Sequence, residues 1–138
     1  MILPFDPNLI NDDKIMKIGD KIITAIIEIN RFCKDNDTIV IWDLSHSIGA
    51  IDIDMNHNEL NYAVGCTYKY LNGGHGAPAY LFVAQRHLEE SKNTLTGWMG
   101  HASPFGFDIN YEPSETIEKF RCGTPAILSY LALEKSLD

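Results

Sequence analysis

The sequence predicts an α/β domain built around an incomplete, mostly parallel sheet. Apolar residues recur at helical spacing from Lys14 to Lys34, which predicts an amphipathic helix. Three short runs rich in β-branched and aromatic residues follow and predict strands: TIVIW at 38–42, YAVGC at 62–66 and AYLFVA at 79–84. A strand that follows a helix is typically parallel to its neighbours, and the predicted helices are too few to cover both faces of such a sheet.

The remaining segments complete this outline. Residues 1–12 are predicted to form an irregular lead-in, and the sequence NDD is predicted to cap the helix that follows. A short helix or turn is expected from His87 to Asn93, and a glycine- and aromatic-rich loop from Gly97 to Asp108. A closing helix is expected from Thr124 to Leu137, with Thr124 as its N-cap and Lys135 in its last turn.

Length, charge and cysteine content exclude several classes of protein. The 138 residues fit one domain or part of a larger one. A net charge of -8 without a basic block argues against nucleic acid or an anionic membrane as the main partner. Three scattered cysteines without a CxxC motif favour a reducing, cytoplasmic setting. No apolar run is long enough to span a bilayer, and the first residues lack the pattern of a secretory signal.

Chemically active side chains follow the first two predicted strands. Asp43 and His46 come directly after TIVIW, and Tyr68 and Lys69 come directly after YAVGC. Ligands of open α/β sheets bind beyond the carboxyl ends of the strands. If these two strands are neighbours, the four side chains converge on one site.

An aspartate and a lysine at adjacent strand ends suit the chemistry of pyridoxal phosphate (PLP). The lysine forms a Schiff base with the cofactor aldehyde, and the carboxylate pairs with the protonated pyridine nitrogen. Tyr68 could donate its hydroxyl to the phosphate or to an intermediate. Ordinary roles remain open at this point, because an aspartate after a strand commonly forms a turn and a surface lysine is commonly a solvated charge.

Other motifs give no alternative site. The glycine-rich NGGHG, residues 72–76, lacks the GK[ST] ending of a phosphate-binding loop and predicts only a tight turn with positive φ angles. The five histidines show neither HExxH nor a spacing with cysteine that suits zinc, so no metal site is expected.

Four segments, taken together, closely resemble kynureninase. They are WDLSHSIGAIDID, YAVGCTYKYLNGGHGAPAYLFV, GWMGH and FRCGTPAILSYLALE, and they occur in order between about Thr38 and Glu134. WDLSHS and YKYLNGG are shared in looser form with class V aminotransferases and cysteine desulfurases, whereas GWMGH followed by RCGTP points to kynureninase. The resemblance implies part of the α/β/α, mostly parallel sheet of the large domain of fold-type I PLP enzymes.

The resemblance also implies roles for individual residues. Lys69 resembles the Schiff-base lysine, and Asp43 the partner of the pyridine nitrogen, with His46 beside the cofactor. Tyr68 resembles the phosphate-contacting tyrosine, which also assists proton transfer. Trp98 and Thr124 resemble phosphate ligands that reach across from the other subunit of a homodimer. The implied reaction is hydrolysis of L-kynurenine or 3-hydroxykynurenine to anthranilate or 3-hydroxyanthranilate and L-alanine, in tryptophan catabolism and NAD synthesis.

The length differs from that of the family, whose members are about three times longer by resemblance. Residues 1–138 are therefore expected to be a partial PLP-binding large domain, without the upstream half and without the small domain that grips the substrate carboxylate. The chain alone is expected to be nearly inactive. Two alternatives stay open: another fold-type I enzyme, such as a cysteine desulfurase or a class V aminotransferase, or a non-catalytic remnant.

Overall fold

A long amphipathic helix opens the part of the chain that the structure describes. The structure is a computed structural model, and it describes residues 12–138. Helix α1 runs from Asp12 to Asp35, which confirms the predicted helix. The carbonyl of Cys33 accepts the N–H groups of Asn36 and Thr38, so these bonds end the helix. The predicted lead-in and the first residue of the NDD cap lie outside the described residues.

Three strands form one sheet in the order β1-β2-β3. Strand β1 spans Ile41–Asp43, β2 spans Tyr62–Cys66 and β3 spans Ala79–Val83. β1 and β2 pair in parallel, whereas β2 and β3 pair antiparallel. The described strands therefore form a mixed sheet, with one parallel and one antiparallel pairing, which is compatible with part of a larger, mostly parallel sheet. The connection between β2 and β3 contains no helix, and without such a crossover the chain returns antiparallel.

The first strand is shorter than the sequence predicts. Residues 38–40 were included in the predicted run TIVIW, but the ladder begins only at Ile41, opposite Tyr62. The backbone N–H of Thr38 is bonded to the end of α1, and this bond holds the start of the run away from the sheet. The second predicted strand, 62–66, is confirmed at both ends.

One face of the sheet carries the hydrophobic core. Leu60 and Ala63 are fully buried, and Ile26 of α1 and Leu44 pack with them. The opposite face is open, and Ile41 there is 65% exposed. The core therefore fixes the sheet from the α1 side and surrounds Leu44, the residue that follows Asp43.

The chain after β3 is made of short elements. Helix α2 spans Gln85–Leu88, two 3₁₀ turns span Trp98–Gly100 and Ile117–Phe120, and helix α3 spans Ile127–Leu137. Helix α3 begins later than predicted: its N-cap is Ala126, which makes no side-chain cap. The predicted capping role of Thr124 is therefore wrong. Lys135 lies in the last turn as predicted.

Candidate functional site

The structure confirms that the ends of the first two strands are neighbours. Asp43 lies opposite Val64 in the parallel β1–β2 ladder. Val64 lies three residues before Thr67, where the segment that carries Lys69 begins. The charges of Lys69 and His46 both act on the Asp43 carboxylate. Asp43, His46 and Lys69 therefore lie at the carboxyl edge of these two strands, where the two cations contribute to the lowered pKa of Asp43.

Asp43 is an exposed carboxylate held by the turn that follows it. The backbone N–H of Ser45 donates to Asp43 Oδ1 at 2.9 Å. Hydrogen bonds from the side chain and backbone of Ser45 lower the pKa of Asp43. Desolvation opposes them, and the charges of Lys69 and His46 lower the pKa by lesser amounts. The pKa lies below its ordinary value of 3.8, so Asp43 is an anion at neutral pH.

Ser45 also connects this turn to the next strand. Its Oγ accepts the backbone N–H of Cys66 at 3.2 Å, and its carbonyl accepts a weak bond from Cys66 Sγ at 3.8 Å. Sequence reasoning assigned no role to Ser45. The spacing Asp-x-Ser was an available signal, because an aspartate side chain commonly bonds to the backbone two residues on.

Lys69 is half-buried and lies beside an exposed aromatic ring. Its Nζ is 5.4 Å from the centroid of the Tyr68 ring, a distance that suits a cation–π contact. Tyr68 is 49% exposed. The lysine and the phenol therefore lie together, as the sequence predicts, but on an open surface.

The segment after Lys69 is closed by backbone hydrogen bonds. The carbonyl of Lys69 accepts the N–H of Asn72 at 3.0 Å, and the carbonyl of Thr67 accepts the N–H of Gly73 at 2.9 Å. Gly74 and Gly76 have φ of 79°, which confirms the predicted tight turn with positive φ angles. These bonds fix the backbone on which Lys69 stands.

A second glycine brings the Asp43 turn against the lysine segment. Gly49 has φ of 83°, and a Cβ at this position would lie 2.8 Å from the carbonyl oxygen of Tyr70. A side chain there would therefore collide with the backbone of the residue after Lys69. The absence of a side chain lets the turn that begins at Asp43 touch the segment that carries Lys69.

The donor set at these strand ends fits PLP. PLP needs an anionic partner for its pyridine nitrogen and a primary amine for its aldehyde. Asp43 supplies a carboxylate whose lowered pKa keeps it ionised, and the half-buried Lys69 supplies the amine. His46 and Tyr68 lie beside them as further polar groups. These four side chains could therefore hold the cofactor.

Trp98 and Thr124 lie apart from this group. The Trp98 ring packs edge-on against Phe105, with centroids 5.6 Å apart, and it lines a cavity of about 410 Å³ with His101 and Tyr111. Thr124 is exposed. Within residues 12–138, no hydrogen bond, ion pair or ring contact joins either residue to Asp43 or Lys69. The ends of β1 and β2 therefore carry four of the six predicted site residues, and Trp98 and Thr124 lie in later segments.

Two glycines bind the GWMGH and RCGTP segments to each other. A Cβ at Gly97 would collide with the carbonyl oxygen of Cys122, and one at Gly100 would lie 2.9 Å from that of Arg121. No side chain fits at either position, because such distances lie far inside van der Waals contact. The two segments that carry Trp98 and Thr124 therefore form one unit through direct backbone contact.

His101 closes the aromatic loop that follows Trp98. Its Nδ1 accepts the backbone N–H of Ser103 at 2.8 Å, so the proton of the neutral ring lies on Nε2, which donates to the carbonyl of Asn110 at 3.1 Å. The ring also packs edge-on against Tyr111. These contacts fix the loop whose residues line the Trp98 cavity.

Two negative findings concern the described residues alone. Residues 12–138 contain no group of three or more histidine, cysteine, aspartate or glutamate side chains that could hold a metal ion. The same part of the chain contains no helix that is both long and apolar enough to cross a membrane.

The chain is similar to curated kynureninases. It is 48% identical over 100 residues to the kynureninase of Deinococcus radiodurans, which corresponds to 72% of this chain and 24% of that protein. It is 46% identical to the kynureninases of Burkholderia mallei and Burkholderia pseudomallei, again over 100 residues, 72% of this chain and 24% of each of those proteins. A comparison with protein-family models gave no match.

These identities confirm the resemblance that the four segments predicted. The chain spans about a quarter of the length of the curated relatives that it matches. The similarity covers 100 residues of this chain and one segment of the Deinococcus radiodurans kynureninase.

Proposed function

We propose that this chain supplies the lysine-bearing segment of a PLP-dependent kynureninase. The activity would be hydrolysis of L-kynurenine or 3-hydroxykynurenine to the corresponding anthranilate and L-alanine, within tryptophan catabolism and NAD synthesis. The observation that carries the proposal is that Asp43 and Lys69 follow neighbouring parallel strands in a chain 48% identical to a kynureninase. The charge of Lys69 contributes to the lowered pKa of Asp43, which supports a common site.

The side chains of this group divide the work by their chemistry. When bound, PLP supplies an electron sink for the carbon atoms of the substrate. Asp43 would accept the hydrogen bond of the protonated pyridine nitrogen, and its lowered pKa supports this role. Lys69 Nζ would hold the cofactor and then move protons, since a primary amine serves both as nucleophile and as base. Tyr68 would hold a proton at its hydroxyl, and His46 would lie beside the ring.

Trp98 and Thr124 would act in a second copy of the site. Both are exposed, and in the described chain they lie on a unit without contact to Asp43. We infer that they contact the cofactor phosphate of the other subunit in a homodimer. The mixed sheet would then be part of the large domain of a fold-type I enzyme, in which residues 1–138 cover only part of that domain and the protein acts in the cytoplasm.

Reductive trapping tests the cofactor site in the chain itself. The chain is incubated with PLP and borohydride, and its peptides are analysed by mass spectrometry. A pyridoxyl group is expected on Lys69, because Lys69 is half-buried beside an anionic carboxylate, whereas Lys92 is exposed. Lys69→Arg keeps the charge and should abolish the labelled peptide, whereas Lys92→Arg should leave it unchanged.

Labelling without a preference for Lys69 would contradict the assignment of a PLP site. Labelling spread over all exposed lysines, with no preference for Lys69, would mean that the site does not select PLP. Asp43→Asn is expected to reduce labelling at Lys69, because the amide cannot pair with a protonated pyridine nitrogen.

Substrate and product separate the proposal from its alternatives. Anthranilate fluorescence from kynurenine, measured on the protein with the rest of its reading frame, would support kynureninase. Sulfide release from cysteine without anthranilate would favour a cysteine desulfurase, and transamination would favour a class V aminotransferase. Cys122 has a structural explanation: its thiol donates to the carbonyl of Leu95 at 3.0 Å, and its backbone packs against Gly97. The 138-residue chain alone is expected to give little turnover.

A further inference from the structure

We infer that Ser45 is a positioning residue that orients the Asp43 carboxylate and connects it to the strand leading to Lys69. The inference rests on the proposed function, in which Asp43 and Lys69 act on one cofactor. It concerns Ser45, a residue to which the sequence comparison with kynureninase gives no role.

Both backbone and side chain of Ser45 take part in this connection. The N–H of Ser45 donates to Asp43 Oδ1 at 2.9 Å, which fixes the direction of the carboxylate. Ser45 Oγ accepts the N–H of Cys66 at 3.2 Å at the last position of β2. The Ser45 hydroxyl also acts as a donor that lowers the pKa of Asp43. Ser45 therefore holds the carboxylate through its backbone N–H and the end of the neighbouring strand through its Oγ.

The connection sets the relative position of the two reactive groups. Asp43 is the last residue of β1, and Cys66 lies three residues before Lys69. A hydroxyl that bridges both strand ends limits how far they slide past each other. Alanine at position 45 would keep the backbone N–H bond to Asp43 but would lose the hydroxyl, and with it both the link to Cys66 and the donor that lowers the Asp43 pKa.

Charged and titratable groups also affect the pKa of Asp43, and the test must separate their effects from that of Ser45. Lys69 follows β2, and His46 follows Ser45 in the same turn. The Tyr80 phenol on β3 is also close enough to respond to the Asp43 charge. Ser45→Ala leaves all three groups in place, so a change in Asp43 reports the loss of the Ser45 hydroxyl.

The first measurement follows Asp43 in the chain without cofactor. Carbon-13 NMR of the aspartate carboxyl carbons gives the titration midpoint, and the spectrum of Asp43→Asn assigns the signal. In Ser45→Ala the midpoint should move upward, because the anion loses a hydrogen bond. Ser45→Thr keeps the hydroxyl and should restore the midpoint. Ser47→Ala, two residues on in the same turn, should leave it unchanged. An equal midpoint in folded Ser45→Ala and in the wild type would overturn the inference.

A wild-type measurement covers the case in which Ser45→Ala does not fold. The Ser45 amide proton is bonded to the carboxylate, so its chemical shift should titrate with the Asp43 midpoint. If the chemical shift of the Ser45 amide proton did not change as Asp43 titrates, the inference would also be overturned.

The second measurement connects the inference to the cofactor. PLP affinity of the chain, read from trapped Lys69, should fall about threefold to tenfold in Ser45→Ala, the size of one hydrogen bond. The two failures are distinguishable. If the wild type does not bind PLP while Asp43 still responds to Ser45, the proposed function fails and the positioning role stands. If PLP binds equally well to both forms, the positioning role fails.

Discussion

The strand-end region and the aromatic region of this molecule hold their predicted site residues in different ways. The strand-end region, residues 41–91, contains β1, β2, the turn to Lys69, β3 and α2. It rests on a core that includes Leu44 and Leu60, which are 2% and 0% exposed. The aromatic region, residues 97–123, has no comparable core: Phe105, Phe107 and Ile109 are 71%, 86% and 97% exposed. Backbone contact at glycines holds it together instead.

This difference in burial determines whether a region can hold a site within one chain. A site on a packed sheet keeps its geometry through the core beneath it, as Asp43 and Lys69 do. Exposed aromatic rings on a loop gain their full contacts only against another surface. This contrast supports the proposal that Trp98 and Thr124 serve the site of a second subunit.

The two tryptophans report on the two regions separately. Trp42 lies in the strand-end region, where its Nε1 donates to Asn30 at 2.8 Å, and Trp98 lies in the aromatic region. The chain has two tryptophans, so Trp98→Phe and Trp42→Phe each leave one reporter. Urea unfolding followed by tryptophan fluorescence then resolves which region a substitution affects.

Leu60→Ala should produce the largest effect. It empties a fully buried position in the core beneath the sheet, and the expected loss in free energy of unfolding is about 3 kcal/mol. The Trp42 transition should move to lower urea concentration. Leu95→Ala serves as the control, because Leu95 is 78% exposed and its loss should cost less than about 0.5 kcal/mol. Equal losses in the two variants would show that the sheet has no specific core.

Gly97→Ala should act on the aromatic region. The added Cβ would meet the carbonyl of Cys122, so the two segments must separate at a cost of about 2 to 3 kcal/mol. The Trp98 transition should shift while the Trp42 transition stays in place. Gly123→Ala is the matched control, since no atom lies within 4 Å of its added Cβ. A shift of both transitions would contradict the separation of the two regions.

Sequence patterns predicted the strand-end region better than the aromatic region. Periodicity and β-branched runs located α1 and β2, and strand order then brought Asp43 toward Lys69. The direction of β3 and the lost residues at the start of β1 depend on turns and partner strands, which local patterns do not encode. Only the resemblance to a known family singled out GWMGH and RCGTP. These segments contact each other through glycines and backbone atoms, and such contacts produce no periodic pattern of apolar residues in the sequence. Ser45 was missed because its importance depends on Cys66, a partner on another strand.

Lys119→Met tests the connection between the two regions. Lys119 is 7% exposed, and its Nζ donates to the carbonyl of Leu88 at 2.7 Å and to that of Ser91 at 3.4 Å. Methionine keeps the apolar stem but leaves these carbonyls without the donor, so the expected loss is about 1 to 2 kcal/mol. Both tryptophan transitions should shift. Lys92→Met, at an exposed position, should change neither tryptophan transition. If Lys119→Met also left both transitions unchanged, the Lys119 ammonium would not connect the two regions.

Tyr80→Phe should have the smallest effect and the opposite sign. Among the described residues, the buried hydroxyl of Tyr80 has no hydrogen-bond partner, while its ring packs over Gly65 of β2. Phenylalanine keeps the ring and removes a buried hydroxyl that water would otherwise satisfy. The free energy of unfolding should therefore rise by about 0.5 to 1 kcal/mol near neutral pH.

The pH dependence of the same variant gives a second and independent check. Burial, followed by the charges of Asp43 and Cys66, raises the pKa of the Tyr80 phenol above 10.0. A raised pKa in the folded state means that the stabilisation is complete below pH 10.0 and is lost as the pH rises through the folded-state pKa. The wild type should therefore lose stability in alkali, and Tyr80→Phe should lose less. Tyr70→Phe, at a tyrosine that is 53% exposed, should follow the wild type. If Tyr80→Phe and the wild type lost stability in parallel above pH 10.0, the hydroxyl would be solvated in solution, and the sheet beneath Asp43 would be less closely packed than the core around Leu60.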